Sequence, residues 1–375
     1  MGLSRLKILL IGEFSGVHWT LAEGLRELGH KVTVASLGNP PRNFPRDIDL
    51  NQDYTQRAKT FKQKLFNAKQ IFTKMSGFDV VQWINPLVLG STLIEEQKLY
   101  AKLKRANGSF FLGSFGADAV FLEHCIQGKP SYSIYSEFIG KKLPADIFPY
   151  ESCWQLPNYV DWNIRMANEA TGIIAALPEY YEAYSQSQWA GKTHFVPLPI
   201  NTETLPARFA RQANTPLKIG MVEQPGRDAV KGWSQMMKVL GALKKRMGQN
   251  LEVDIAQPMP YVQYLEWLRA QDVLFDQALS HGPGIAALVA MSMGIPSFSG
   301  GEEYYYGMLN EPNIRPILNY RPGEDVRLLS EIEALWEMDV YERIAAEGKA
   351  LVELHHTAIN VAKKYESIYE KAVRH

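Results

Sequence analysis

The residues best placed to do chemistry lie between Asp272 and Ser297, DVLFDQALSHGPGIAALVAMSMGIPS. A short apolar run, Val273 to Phe275, gives way to Ser280, His281, Gly282, Pro283 and Gly284. Small and apolar residues follow from Ile285 to Met293, stopped by Gly294 and Pro296. That order predicts strand, tight loop, helix, strand. A helix that begins directly after two glycines leaves its first N–H groups without internal partners. Those amides, with a dipole contribution of about 0.3–1 kcal/mol at an exposed site, suit an anion such as a phosphate. Carboxylates offer a complementary chemistry. Asp118 closes the loop Phe115-Gly116-Ala117-Asp118 after a predicted strand, Ser109 to Ser114, where open α/β sheets place their ligands. It could accept a proton or a hydrogen bond, or simply cap the next helix. Glu302 and Glu303 follow Gly300-Gly301 at a later strand end.

Positioning such groups requires a scaffold of alternating strands and helices, and the chain supplies one from its start. Lys7 to Gly12 (KILLIG) reads as a buried strand and Gly12 to Gly16 as a loop. Leu21, Leu25 and Leu28 share one helical face, and Lys31 to Ala35 is the next strand. This is a doubly wound unit, but its glycine spacing is not the dinucleotide fingerprint. Gly38, Asn39, Pro40 and Pro41 stand where a ribose-reading acid would be, so NAD is not expected. Further strands are predicted at Phe78 to Trp83, Gly172 to Leu177 and Thr193 to Val196, with a Pro-, Tyr- and Ser-rich insertion from Lys129 to Leu156. The segment from Pro197 to Pro216 reads as a linker. Alternation then resumes with a strand at Leu217 to Val222 and a helix carrying Trp233, Met236, Met237, Leu240 and Leu243. The expected organisation is a first domain over 1–200, a linker over 201–216, a second domain over 217–355 and a closing helix over 356–375 that could return to the first domain.

The chain has 375 residues, long enough for two cores. Formal net charge is zero, which leaves no whole-molecule field to draw it to nucleic acid. Cys125 and Cys153 form neither a disulfide framework nor a CxxC metal motif, which fits a reducing compartment. No apolar window reaches about 18 residues, so no membrane span is expected, and the first apolar run is too short for a signal peptide. The expected location is cytoplasmic. One local charge run stands out: Arg57, Lys59, Lys62, Lys64, Lys69 and Lys74, interleaved with Phe61, Leu65, Ala68 and Phe72 at helical spacing. A basic amphipathic helix over 57–74 could rest peripherally on the anionic inner surface of a membrane, or be a solvated face. Asp47-Ile48-Asp49 has the DxD form of a metal-holding pair but lies in a proline-rich loop, and reads as surface.

The stretch around Gly282 resembles the donor-binding signature of the group 1 glycosyltransferases of GT-B fold, through Gly282, Gly284, Ala290, Met291, Gly294 and Pro296. The two glutamates of that signature fall on His281 and Val289 here. A second match lies in the loop after Val222, where the family carries Gly-Arg and then Lys-Gly: here Gly226-Arg227 and Lys231-Gly232. The resemblance implies an α/β, GT-B-like fold of two doubly wound Rossmann-like domains facing across a cleft. It implies transfer of a sugar from a nucleotide-sugar donor to an acceptor hydroxyl, glycan or lipid-linked, with retention at the anomeric carbon. Arg227 and Lys231 would neutralise the diphosphate without a metal or other cofactor. The backbone at Gly282, Pro283, Gly284 and Ile285, with Gly16 and Val17 across the cleft, would complete the donor site. Asp118 and His281 would lie near the sugar, and Glu302 or Glu303 could supply a lost carboxylate. Because Val289 cannot bind a ribose hydroxyl, a catalytically silent binding or partner protein is the alternative reading, and a sugar-nucleotide epimerase a further one.

Overall fold

The computed structural model describes residues 5–38, 43–50, 71–89 and 92–373. Most of the basic stretch 57–74 lies outside the described residues, so the membrane-facing helix expected there has no structural account. Two parallel sheets organise the described residues. The first has seven strands in the order β3-β2-β1-β4-β5-β6-β7: β1 Lys7–Ile11, β2 Lys31–Ser36, β3 Ile48–Asp49, β4 Val80–Trp83, β5 Ser109–Ser114, β6 Gly172–Ala175 and β7 Thr193–Phe195. The second has five in the order β12-β11-β10-β8-β9: β8 Leu217–Val222, β9 Leu251–Ala256, β10 Val273–Phe275, β11 Ser297–Ser299 and β12 Ile317–Asn319. Fully buried runs such as Ile8 to Ile11 form parallel strands because helices cover both faces, so every side chain along the strand meets apolar neighbours.

In each sheet the strand order reverses at one place, and loops there open a crevice beyond the strand ends. In the first sheet it falls between β1 and β4; in the second, between β8 and β10. The loop bearing Arg227 and Lys231 follows β8, and the glycine turn follows β10. Both lie at the second reversal.

Two chain crossings join the sheets and run side by side. Ile200 pairs with Thr357: the Ile200 amide donates to the His356 carbonyl, and the Ala358 amide to the Ile200 carbonyl. His356, buried between them, donates from Nδ1 to Leu198 O at 2.8 Å and accepts at Nε2 from the Tyr305 hydroxyl at 2.7 Å. Burial pushes its pKa down to about 3, so the ring stays neutral. The helix Ala358–Val373 then lies on the first sheet, where Val361, Ala362, Tyr365 and Tyr369 share a core with Leu21, Ala22 and Leu25 of helix Val17–Glu27. Gly24 permits this approach. A Cβ there would lie 2.3 Å from the Ala358 carbonyl oxygen.

Asp47 lies in the turn that precedes an edge strand, and Asp49 lies in that strand rather than in the expected loop. Ile48–Asp49 is the edge strand, Asp47 accepts from Arg26 at 2.6 Å and from the Val34 amide at 2.7 Å, and Asp49 pairs with Arg46 at 2.7 Å. These carboxylates hold the sheet edge. The insertion over 129–156 is ordered without long helices. Tyr135, Leu143, Phe148 and Trp154 pack on Phe121 and Leu122, and Ala229 and Val230 of the second sheet's loop rest against the same cluster.

Candidate functional site

The two loops at the second reversal are laced together. After β8 the chain turns through Gly226, forms the short helix Asp228–Lys231 with Arg227 at its N-cap, and leaves through Gly232 at φ 63°. Lys231 Nζ donates to Asp276 Oδ1 at 2.9 Å and to Gln277 Oε1 at 3.0 Å, while the Ala278 amide donates to the Lys231 carbonyl. Asp276 follows β10 in a buried position, and its other oxygen accepts from Ser299 Oγ. Leu279 follows at φ 62°, a left-handed conformation that costs a non-glycine residue about 1–2 kcal/mol and turns the chain sharply into Ser280. Gly284 has no room for a side chain, since a Cβ would meet Asp276 Oδ2 at 2.7 Å.

Helix Ile285–Ser292 begins at Gly284 and no side chain caps it. Gly284, Ile285 and Ala286 are half-buried. Its free donors sit beside the Lys231–Asp276 pair, so a cation and an open helix end converge on one spot. Two expected members contribute differently. Pro283 has no N–H to give. Gly282 is pressed against the first domain, where a Cβ would come within 2.4 Å of Pro178 Cδ. Arg227 is exposed at the rim, and its charge acts on Glu151 of the insertion, whose carboxyl burial raises and Arg227 lowers.

His281 is buried and both its nitrogens are taken: Nε2–H donates to the Tyr132 carbonyl at 2.8 Å, and Nδ1 accepts from the Tyr304 hydroxyl at 2.5 Å. The ring is therefore fixed between the domains rather than open to a substrate. Glu302 faces the same seam, accepting at Oε1 from the Tyr132 hydroxyl, from Asn319 Nδ2 at 2.7 Å and from Arg321 Nε at 2.8 Å. These donors hold its carboxyl below the ordinary range against the opposing effect of burial. Glu303 points elsewhere, pairing with Arg315 at 3.0 Å with its side chain 67% exposed, and is not brought to the site.

A residue not singled out from the sequence completes the seam. Glu179, in the first turn of helix Pro178–Ser185 after β6, accepts from Ser280 Oγ at 2.8 Å across the domains. Burial raises its pKa, and the hydrogen bonds it accepts from Ser280 Oγ and the His281 amide oppose the rise. Its strand-end position satisfies the same rule that selected Asp118, which was the available signal.

In the first domain, Gly16 is the left-handed N-cap of helix Val17–Glu27 and Val17 is buried in a core with Leu198 and Leu288. The start of that helix already holds a carboxyl group. Glu13 accepts from the amides of His18 and Trp19, and burial pushes its carboxyl up to about 7 despite those bonds. His18 donates from Nδ1 to Gly12 O at 2.9 Å and accepts at Nε2 from Gln82, whose Oε1 takes the Tyr369 hydroxyl. A buried chain thus ties the last helix to the first loop. Asp118 is the N-cap of helix Ala119–Ile126, accepting from the Phe121 amide at 2.9 Å, the Tyr184 hydroxyl at 2.8 Å and Ser114 Oγ at 3.3 Å. It is fully buried, and burial lifts its carboxyl to about 6. All of these partners lie inside the first domain, and the helix that Asp118 caps packs in one cluster with Ala229 and Val230.

Among the described residues, no group of three or more His, Cys, Asp or Glu is arranged to hold a metal ion, and no helix is long and apolar enough to cross a membrane. No family model and no curated protein matches the sequence. Solved structures do match the fold. A sucrose-phosphate synthase from Thermosynechococcus elongatus superposes with a TM-score of 0.59 at 15% identity, covering 98% of this chain and 99% of that one. HepE from Anabaena, solved with UDP-glucose, gives 0.56 at 13% identity over 98% and 99% of the two chains. The catalytic domain of starch synthase IV from Arabidopsis thaliana, bound to ADP and acarbose, gives 0.58 at 10% identity over 99% and 100%. The chain therefore has the GT-B fold, two Rossmann-like parallel-sheet domains, shared with the group 1 glycosyltransferases that it resembles.

Proposed function

We propose that this protein transfers a sugar from a nucleotide-sugar donor to an acceptor hydroxyl. The observation that carries the reading is the meeting of Lys231 with the uncapped start of helix Ile285–Ser292 at the strand-order reversal of the second sheet. In this reading the diphosphate lies against Lys231 and the Gly284–Ala286 end, with Arg227 reaching it from the rim. As the bond from anomeric carbon to diphosphate breaks, charge builds on the leaving group, and fixed cations and amides stabilise it without reorganising. The scheme requires no resident metal. The acceptor, a glycan or lipid-linked hydroxyl, approaches from the first domain, and retention of configuration is part of the proposal. The ligands named for the structural neighbours, UDP-glucose for HepE and ADP for the starch synthase, support the donor class.

The alternative, a silent fold that binds a partner, is favoured by one observation. Val289 lies buried in an apolar core with Leu288 and Met291, so the helix presents no carboxylate there for a ribose. Calorimetric titration with UDP, GDP, ADP and CMP in chelator, on the wild type and on Arg227→Ala and Lys231→Ala, separates the two. Micromolar binding of one nucleotide, weakened in both variants, is expected. Absence of binding at millimolar concentration would favour the silent fold.

A further inference from the structure

An open groove of about 550 Å³ runs along the outer edge of the first sheet, away from Lys231 and the glycine turn of the second. β7 and Val196 form one wall. The closing helix Ala358–Val373 forms the other through Lys363, Lys364 and Ile368, and Tyr181 of helix Pro178–Ser185 completes it. The positive charge here is not balanced. No carboxylate lines the groove, and among the described residues neither ammonium group has a hydrogen bond or an ion pair. Acids on the same two helices point elsewhere: Glu366 pairs with His30 at 2.9 Å, and Glu182 accepts from Gln186 at 3.1 Å. Both lysines reach the surface, yet partial loss of water around Lys364 lowers its pKa and no carboxylate offsets the change. Burial lowers the pKa of His194, in β7, and the Lys371 charge lowers it further, so the ring is neutral and can donate one N–H.

The sheet edge adds a directed donor. The Val196 amide bonds inward to the Ala175 carbonyl at 3.0 Å. Successive residues of a strand turn their backbone groups to opposite sides, so the N–H of Phe195 points outward from the edge. Two ammonium groups with three donors each, an imidazole and a free amide around one concave surface match the several oxygens of a phosphate. Tyr181, Phe195 and Ile368 lay an apolar surface beside them, the two rings meeting edge to face at 6.0 Å. A hollow of this volume lies in the range of small-molecule sites. Because β7 has three residues and Pro197 follows soon after it, the edge is too short to pair with a strand of another chain.

We propose that this groove binds a soluble phosphate monoester with an apolar or aromatic body, its phosphate on Lys363 and Lys364 and its carbon skeleton on Tyr181 and Phe195. The test is calorimetry of the full chain with phenyl phosphate, inorganic phosphate and benzyl alcohol, on the wild type, Lys363→Gln, Lys364→Gln, Lys244→Gln and Arg227→Ala. Phenyl phosphate should bind more tightly than inorganic phosphate, and benzyl alcohol should not bind. Affinity for phenyl phosphate should fall about tenfold in Lys363→Gln and in Lys364→Gln. It should stay unchanged in Lys244→Gln, which removes an exposed lysine of the second domain, and in Arg227→Ala, which touches the proposed donor site. Both groove lysines reach the surface, so their variants should keep the wild-type urea midpoint. Absence of binding at about 10 mM, equal binding of benzyl alcohol, an equal loss in Lys244→Gln, or a loss in Arg227→Ala with the groove variants unaffected would each overturn the site. Capture by phosphatidic acid vesicles without binding of the soluble ester would assign the lysines to a lipid surface and overturn it as well. Equal affinity for inorganic phosphate would refute the apolar half. Hydrogen exchange reads the edge: the Phe195 amide should exchange more slowly with phenyl phosphate present, and an unchanged rate would remove that donor from the site.

Discussion

Replacing Lys231 by Met separates what this residue does for the fold from what it does for a ligand. The lysine is 2.9 Å from Asp276, and the side chains are 16% and 1% exposed. Methionine keeps the apolar stem but leaves Asp276 buried with only Ser299 Oγ and no cation. Removing one partner of a buried pair costs about 3–5 kcal/mol, most of it from the stranded charge. Adding Asp276→Asn removes that charge, so the double variant should recover at least about 2 kcal/mol, a coupling expected of residues in direct contact. Nucleotide affinity should not follow. If Lys231 meets the diphosphate, its loss removes a charge-assisted contact worth about 1.5–3 kcal/mol, or about 10- to 100-fold in affinity. The single and double variants should then bind equally poorly. Urea denaturation and calorimetry on the three proteins give both numbers. A single variant destabilised by less than about 1 kcal/mol would refute the buried pair, and a double variant that regained nucleotide affinity along with stability would refute the direct contact.

Asp118→Ala should cost about 1–2 kcal/mol as a lost cap, Asp118→Asn far less, and neither should alter nucleotide affinity; a binding defect in a stable Asp118→Asn protein would return this carboxylate to the site. Glu96, buried with Oε1 bonded to the Val88 and Leu89 amides, is pushed up to about 7. Its folded pKa lies above the ordinary value near 4.3, so between those pH values the folded state binds a proton that the unfolded state does not, and this contribution grows as pH falls through 7. Urea midpoints from pH 8 to 5 should therefore be less dependent on pH in Glu96→Gln than in the wild type, by up to about 1.4 kcal/mol per pH unit; parallel curves would count against the shift. Gly24→Ala drives a methyl into the Ala358 carbonyl and should destabilise by about 1–3 kcal/mol, visible as earlier proteolytic release of the last helix. Proteolysis at the wild-type rate would show that the helices part without cost.

The fold was legible where apolar runs and glycine turns coincide. Lys7 to Gly12 was expected as a strand and Lys7–Ile11 is one; the helix expected from Ile285 to Met293 spans Ile285–Ser292. Local sequence carries such information because burial on both faces forces continuous hydrophobicity and a φ above zero favours glycine. The seam was not legible. Tyr132 and Glu302 are 170 positions apart, and no local pattern records that their side chains meet. Asp118 shows the limit of position alone: a strand-end carboxylate can face the crevice or turn inward as a cap, and the choice depends on Tyr184 and Ser114, which approach only in the folded domain.

The last helix carries a consequence for the order in which this chain can fold. Tyr365 and Tyr369 fill the core beneath Leu10 and Leu21, and Tyr369 ends the buried chain through Gln82 and His18 to Gly12. During synthesis the first sheet emerges long before those tyrosines, so it waits with an apolar groove uncovered while residues 217–319 build the second sheet from contiguous sequence. The domain that is made first is thus the one completed last, and a fragment ending near residue 200 would expose that groove to aggregation.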